Sequence, residues 1–380
     1  MNVALVHDSN VFGGMEAYML RLARFLSASH YRPHFLIPGY NDVYRASPQR
    51  LIDEANALGI PVLQPPHPGD IPGISTLKDI INIRRAFKHA EIDVAHIHTN
   101  HPESARKMMI AARLAGIRAI VRTEHLPPSF YGHTDRLRSI HLFDRYMDRL
   151  ITVSEANRRE QVELFKRDAR KTVCIHCGIE LERFNPCHDT VAAKRSLGLD
   201  PTVPVVGMVG RLCPQKGQSY LLDAAARVIR QVGEVNFLLV GEGPDEPDLR
   251  AMAAELGIHE RVHFAGFQSD PVPYMEAMDI AVLSSISEGL PLTLMEYMTL
   301  QKACVVTDLP CYQGVVEDHK NGIIVAMKSG EAFAEGLVSV LEDPLLRSKL
   351  AVSARLFALQ MFSMETNTRQ TLALYDSLLA

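Results

Sequence analysis

The sequence predicts an α/β protein of two successive doubly wound parallel sheets. Short apolar runs alternate with stretches of helical periodicity through both halves, the pattern that strand–helix–strand units leave in a chain. At 380 residues the chain is too long for one ordinary core and suits two. Glycine-bearing or polar turns follow several of the apolar runs, so candidate binding groups fall at the carboxyl ends of strands, where open parallel sheets take their ligands.

Residues 2–6, Asn-Val-Ala-Leu-Val, read as a buried strand, and 8–14 as the loop after it. Over 15–27, Tyr18, Met19, Leu22, Phe25 and Leu26 recur at helical spacing, with Glu16, Arg21 and Arg24 expected outward. A dinucleotide fingerprint needs three spaced glycines here. Only Gly13 and Gly14 are present, which removes most of the support for a nicotinamide or flavin cofactor. Strands at 34–37 and 61–63 enclose a helix over 47–58, and 65–73 is a loop on composition. A helix over 76–89, a strand over 93–98, a helix over 102–114 and a strand over 119–123 complete the run. A lone histidine is more often a core or surface residue than a ligand. His98 and His125, however, close consecutive strands at their carboxyl ends, which favours a site role for both. The strand at 149–153 ends at Ser154, a good N-cap, for which a structural role suffices.

The second half repeats the alternation. A strand over 204–210 leads into the loop 211–217 and a helix over 219–231, with Leu221, Leu222, Ala225, Val228 and Ile229 on its apolar face. A strand at 236–240, a helix over 248–256, and strands at 261–267, 280–283, 303–308 and 321–325 follow. After the 280–283 strand comes Ser-Ser-Ile-Ser-Glu-Gly-Leu-Pro-Leu-Thr-Leu-Met-Glu-Tyr-Met, residues 284–298. Gly289 supplies backbone without Cβ, Pro291 suits the first position of a helix, and 292–300 is rich in helix formers. A helix N-terminus in this place offers unpaired N–H groups and partial positive charge to a phosphate. Glu288 precedes it, and Glu296 lies about one turn inside, roughly 6 Å along the axis from Leu292. Two carboxylates flanking one anion site suit a ligand with a diphosphate in the middle and sugars at its ends. The plainer reading makes Glu288 a solvated loop residue and Glu296 an exposed helix residue. The chain closes on a helix over 362–379 with Leu372, Leu374, Tyr375, Leu378 and Leu379 apolar.

Composition narrows the function classes. Hydrophobic content of 47% and charged content of 22% belong to a globular protein. No apolar run reaches the roughly 18 residues of a membrane span, and the N-terminus enters a strand pattern without a basic leader, so a cytoplasmic location is expected. The six cysteines are scattered. Cys174 and Cys177 have C-x-x-C spacing, but no second pair follows at zinc-site distance, so ordinary packing is expected and no metal site. Net charge is −4, divided as 25 Lys+Arg against 21 Asp+Glu through residue 190 and 15 against 23 beyond it. That is too weak a basic footprint for nucleic acid. A local excess occurs over 136–171, ten Lys+Arg against six Asp+Glu, which allows peripheral contact with an anionic membrane; a solvated helix face explains it as well.

The pair Glu288 and Glu296, with Gly210-Arg211 and Lys216-Gly217, Gly13-Gly14 and His125, resembles the retaining, nucleotide-sugar-dependent glycosyltransferases of the GT-B fold, in particular family 4. The resemblance covers essentially the whole chain. It implies two Rossmann-like domains facing across a cleft: residues 1–186 binding the acceptor, 187–361 binding the nucleotide sugar, and the tail over 362–380 packing back on the first domain. It implies transfer of a hexosyl group from a UDP- or GDP-linked sugar to a hydroxyl, with no cofactor, for an acceptor that is lipid-linked in many relatives. Carried over by position, Arg211 and Lys216 bind the diphosphate and Glu288 holds sugar hydroxyls. Glu296 holds the ribose, and His125 faces the anomeric centre or donor sugar. The same positions make Gly13, Gly14, His98, Gly210, Gly289, Leu290, Pro291, Leu292 and Thr293 binding residues, with Val262 and Phe267 in the base-binding strand and loop. No Asp-x-Asp occurs, so leaving-group charge falls to Arg211, Lys216 and the helix N-terminus, without a metal. Two departures stand out: His176-Cys177-Gly178 replaces Pro-Asn-Gly, and 309–314 replaces a glycine pair and Pro-Glu. An epimerase of the same fold and a non-catalytic sugar-nucleotide-binding partner are the rival readings.

Overall fold

The computed structural model describes residues 1–8, 12–38, 46–66, 74–100, 105–127, 137–186 and 189–380. Ser9, Asn10 and Val11 of the first loop, residues 67–73 of the proline-rich loop, Pro102, Arg136 and Cys187 lie outside the described residues. The chain divides into two compact units, Met1–Ile179 with Ser363–Ala380, and Glu180–Phe362.

The sheet of the first unit contains β1 (Asn2–Asp8), β2 (Arg32–Leu36), β3 (Val62–Leu63), β4 (Ile92–Thr99), β5 (Ala119–Glu124), β6 (Arg149–Thr152) and β7 (Thr172–Cys174), all parallel in the order β3–β2–β1–β4–β5–β6–β7. Val3, Ala4, Leu5 and Val6 are all fully buried, which explains why β1 is written as a continuous apolar run rather than an alternation: helices cover both faces. One cluster packs Ala4, Val6, Ala95, Ile97 and Ile120 against Ile83, Phe87, Met108 and Met109 from the helices Ile74–His89 and Arg106–Ala115. The strand order reverses between β1 and β4, which makes this the sheet's switch point, the place where open parallel sheets take their ligands.

The tail helix Met364–Leu379 belongs to this unit. Its buried stripe is Met364, Asn367, Thr368, Thr371 and Tyr375, so the leucines expected to make the contact stand only half-buried. The seat is largely polar. Met364 N–H donates to Ile179 O at 3.1 Å, Asn367 Nδ2 to His176 O at 2.6 Å, and Tyr31 OH to Asp376 Oδ1 at 2.8 Å. Gly178 makes the approach feasible, because a Cβ there would lie 2.8 Å from Met364 Cα.

The second unit holds β8 (Val205–Val209), β9 (Asn236–Val240), β10 (Val262–Phe264), β11 (Ile280–Leu283), β12 (Ala303–Thr307) and β13 (Ile323–Val325), parallel in the order β10–β9–β8–β11–β12–β13. Its core joins these strands to Leu221, Leu222, Ala225 and Val228 of Gln218–Val232 and to Phe333 and Leu337 of Gly330–Glu342. The crossover into it comes a few residues before the expected 186/187. The reason is the 3-10 turn Leu181–Phe184, whose Phe184 is buried and whose Arg183 pairs with Asp270 at 3.0 Å. No helix among the described residues is long and apolar enough to cross a membrane.

Candidate functional site

In the second unit the order reverses between β8 and β11, and the loops after these two strands meet there. Ser284 Oγ donates to Lys216 O at 2.9 Å, Ile286 N–H to Gln215 O at 2.9 Å, and Gln215 Nε2 to Ser287 O at 2.9 Å. The closeness depends on Gly217, which has φ +67° and whose Cβ would sit 2.2 Å from Ser284 O. A third turn braces the first: a Cβ on Gly241 would meet Gly210 O at 2.1 Å, and one on Gly243 would meet Leu212 O at 2.0 Å. Gly241 and Gly243 are supports that sequence reasoning passed over; a glycine on either side of Glu242 directly after a strand was the available signal.

These loops bring Lys216 Nζ to 2.5 Å from Glu288 Oε1, which also accepts from Ser285 Oγ at 2.8 Å. Glu288 and Glu296 are 7% and 8% exposed, which disposes of the plainer reading of both as solvated surface residues. Arg211 is exposed in the same loop as Lys216, and its carbonyl accepts from the buried Gln218 Nε2 at 2.9 Å. Gly289, Leu290 and Pro291 are buried beneath the helix Leu292–Thr299. Pro291 is its N-cap in extended conformation, not its first helical residue, and its carbonyl accepts Leu294 N–H at 3.1 Å. Leu292 and Thr293 therefore carry the first-turn N–H groups that have no partner within the helix. Tyr297 OH accepts Val209 N–H at 2.6 Å and ties this helix to β8.

Val262 does not join this group. It stands at the amino-terminal end of β10 with its side chain in the core, because a three-residue strand leaves its first residue far from the loop that follows. Phe267 is exposed in that loop. The divergent 309–314 stretch folds as the 3-10 turn Pro310–Tyr312, with Cys311 and Tyr312 buried; burial and nearby Glu288 push the Cys311 thiol well above its ordinary range.

In the first unit, histidines collect at the β1/β4 switch point. His7 pairs across β1–β4 with His98, and His98 across β4–β5 with Thr123. His98 Nδ1 lies 3.1 Å from His125 Nε2, and the Tyr18 ring meets both imidazoles edge-on at 5.9 and 5.7 Å. His125 N–H donates to Thr99 O at 3.0 Å, which pins the turn after β5 to the end of β4. His96 bridges Thr123 Oγ1 and Tyr375 OH, each at 2.6 Å. Burial holds His96 down to about 3 and His125 down to about 4, and His98 well below the usual histidine range, so all three imidazoles are neutral near pH 7.

Glu16 corrects the expectation that it points outward. It is 2% exposed, with Oε1 2.8 Å from His7 Nε2 and Oε2 accepting Gly13 N–H at 2.8 Å. The expected glycine loop is also shorter, since Gly13 is the N-cap and Gly14 the first residue of the helix Gly14–Ser27. Neither His7 nor Glu16 was legible as a site residue, because each takes its meaning from the other. Cys174 and Cys177 are free thiols that burial pushes up to about 12, as packing residues would be.

Comparison with known proteins bears on the fold and the family. Residues 12–183 match the model described as Glycosyltransferase Family 4, and 189–357 the model described as Glycosyl transferases group 1. A UDP-Gal:alpha-D-GlcNAc-diphosphoundecaprenol alpha-1,3-galactosyltransferase of Escherichia coli is 27% identical over 308 residues, 78% of this chain and 77% of that protein. A phosphatidyl-myo-inositol mannosyltransferase of Mycobacterium leprae is 26% identical over 383 residues, covering 98% and 95%. The crystal structure of Anabaena HepE in complex with UDP superposes with a TM-score of 0.85 at 22% identity, covering 99% of this chain and 100% of that one.

Two doubly wound parallel sheets, each with polar loops gathered at its switch point, define the GT-B class of sugar-transferring enzymes. Within that class the chain belongs to the glycosyltransferases of group 1 and family 4.

Proposed function

We propose that the protein moves a hexosyl group from a UDP- or GDP-linked sugar to a hydroxyl acceptor with retention of anomeric configuration and without a metal ion. The observation that carries the reading is the junction of the loops after β8 and β11, where Lys216, Glu288 and the first turn of Leu292–Thr299 stand together. Arg211 and Lys216 bind the donor diphosphate with the N–H groups of Leu292 and Thr293, and they neutralise the charge that grows as the glycosyl bond breaks. Glu288 accepts from sugar hydroxyls, and Glu296 from the ribose. In the first unit, Gly13, Gly14, His98 and His125 are assigned to ligand contact. Gly13 has an extended backbone, and among the described residues a Cβ there would meet only Glu16 Oε2 at an ordinary 3.7 Å, which leaves room for a ligand to approach the backbone closely.

The acceptor hydroxyl attacks the anomeric carbon on the face the diphosphate leaves, and the departing phosphate oxygen takes the hydroxyl proton. This front-face course is favoured over a protein nucleophile because Glu16 and Glu124, the carboxylates near the histidines whose side chains are described, are engaged within the fold. Glu16 is held by His7 and Gly13, and Glu124 by Arg122, Arg167 and Gln161.

A lipid-linked acceptor is the class we favour, since the Escherichia coli and Mycobacterium leprae relatives are named for diphosphoundecaprenol and phosphatidyl-myo-inositol acceptors. Peripheral contact with an anionic membrane through the basic stretch that ends at Lys171 fits such an acceptor. The deciding experiment is a screen of UDP- and GDP-sugars for slow donor hydrolysis and for protection against heat. One nucleotide sugar is expected to do both; a protein that hydrolyses none and is protected by none overturns the reading.

A further inference from the structure

The histidine row uses the carboxyl edge of the first sheet, and a separate group of cations gathers around residues that precede β6 and β7. Arg145, Lys166, Arg167 and Lys171, with His141 and Asp144, line a surface cavity of about 310 Å³. Arg167 reaches it from inside the fold and is only 4% exposed. Its Nη1 donates to Glu124 Oε1 at 2.7 Å and its Nε faces Asp144 Oδ2 at 3.1 Å, while Nη2 is buried with no hydrogen-bond partner. A buried guanidinium N–H without an acceptor is costly, and an anion in the cavity would satisfy it.

The neighbouring carboxylates do not fill that place. Glu124 is occupied on both oxygens, by Gln161 on one and by Arg122 and Arg167 on the other. Asp168 is turned to Arg170, at 3.1 and 3.0 Å. Asp144 Oδ2 faces Arg167 Nε and not Nη2, and its Oδ1 has no partner among the described residues. At the mouth, Arg145 reaches Tyr146 OH and Lys171 reaches Met147 O, and neither they nor Lys166 has a carboxylate partner among the described residues. The cavity therefore combines one deep planar fork with three cations at its mouth. That set suits a multiply charged oxyanion better than a carboxylate or a neutral sugar.

We infer that this cavity is a second anion site, which takes a phosphate- or diphosphate-bearing ligand on Arg167 Nη2, with Lys166, Lys171 and Arg145 closing over it. It uses none of the residues assigned to the donor site of the second unit and does not depend on the transferase reading.

The test uses the 380-residue chain carrying Arg211→Ala and Lys216→Ala, which together remove both cations of the second unit's donor loop, and titrates pyrophosphate at constant ionic strength by calorimetry and thermal melting. Pyrophosphate is expected to raise the melting temperature where chloride does not, and Lys166→Glu with Lys171→Glu to weaken binding at least ten-fold. Lys88→Glu, an exposed charge reversal elsewhere in the unit, is expected to leave binding unchanged. In otherwise native protein, Lys166→Glu and Lys171→Glu leave turnover on a soluble acceptor unchanged. Vesicles of phosphatidylglycerol in phosphatidylcholine separate the sources. Pelleting that the paired variant abolishes identifies a lipid headgroup, and pyrophosphate binding without pelleting identifies a soluble phosphate; each upholds the site. Equal stabilisation by chloride, or equal loss in Lys88→Glu, overturns it.

Discussion

Lys216 Nζ and Glu288 Oε1 stand 2.5 Å apart, which joins the cation assigned to the diphosphate and the carboxylate assigned to the sugar into one part-buried ion pair. Each fixes the other's position before any donor arrives, so the site is preorganised. Arg211→Ala and Lys216→Ala are each expected to lower kcat/KM by a factor that corresponds to about 2 to 4 kcal/mol of transition-state stabilisation. Their stabilities should differ. Arg211 is exposed, so its loss leaves the melting temperature near native, whereas Lys216→Ala leaves Glu288 buried with only Ser285 as partner. Near-native kcat/KM in either variant removes the diphosphate assignment.

Gly217→Ala tests whether the junction of the two loops matters. The added Cβ would sit 2.2 Å from a backbone oxygen and would require a left-handed conformation at φ +67°. The loops must separate, which moves Lys216 relative to Glu288. Turnover is expected to fall by at least ten-fold with a lowered melting temperature; Gly198→Ala, at φ +71° with nothing within 4 Å, is the control that carries the backbone cost alone. Equal turnover in the two variants would show that the junction is not needed.

Activity is expected to survive EDTA, because in the proposed reading Arg211, Lys216 and the N–H groups at Leu292 and Thr293 take the place of a divalent cation. Dialysis against chelator followed by an assay with and without added Mn²⁺ or Mg²⁺ measures this. Loss in chelator restored by metal would refute it.

Much of this was legible in the sequence, for identifiable reasons. A strand buried on both faces is a continuous apolar run, so Val3 to Val6 and Ile280 to Leu283 announce themselves, and the loops after them follow. Residues whose role is set by a distant partner do not. Glu16 looked like an outward helix residue until His7, nine positions earlier, was seen to face it. Periodicity marked Tyr375 of the tail helix but not the rest of its buried stripe, because Asn367, Thr368 and Thr371 are polar residues that hydrophobic spacing cannot mark. Val262 begins a three-residue strand with its side chain in the core, a placement that a motif match does not report.

The tail can be tested by one atom. Tyr375 OH is 2.6 Å from His96 Nδ1, and both residues are fully buried. Tyr375→Phe keeps the ring and its edge-on packing but leaves that imidazole nitrogen without a partner, a loss of about 1 to 3 kcal/mol. Urea unfolding should show it as a lower midpoint at unchanged m-value. A midpoint equal to native would mean that the hydroxyl contributes nothing to seating the helix.

The neutral histidines give the protein a defined acid sensitivity. In the unfolded chain His96, His98 and His125 take a proton near the ordinary histidine value of about 6.5. In the folded chain burial holds His96 down to about 3 and His125 down to about 4, and His98 lower than usual as well. Between these limits the unfolded state binds more protons than the native state, so stability is fully present above about pH 6.5 and falls as the pH drops toward 4. Each such histidine contributes a slope of about 1.4 kcal/mol per pH unit within the window. Unfolding free energies measured between pH 7.5 and 5 should therefore decline steeply, and His125→Gln should remove one histidine's share of that slope while leaving the fold intact. A slope unchanged by His125→Gln would mean that this imidazole takes up its proton as readily in the folded state as in the unfolded one.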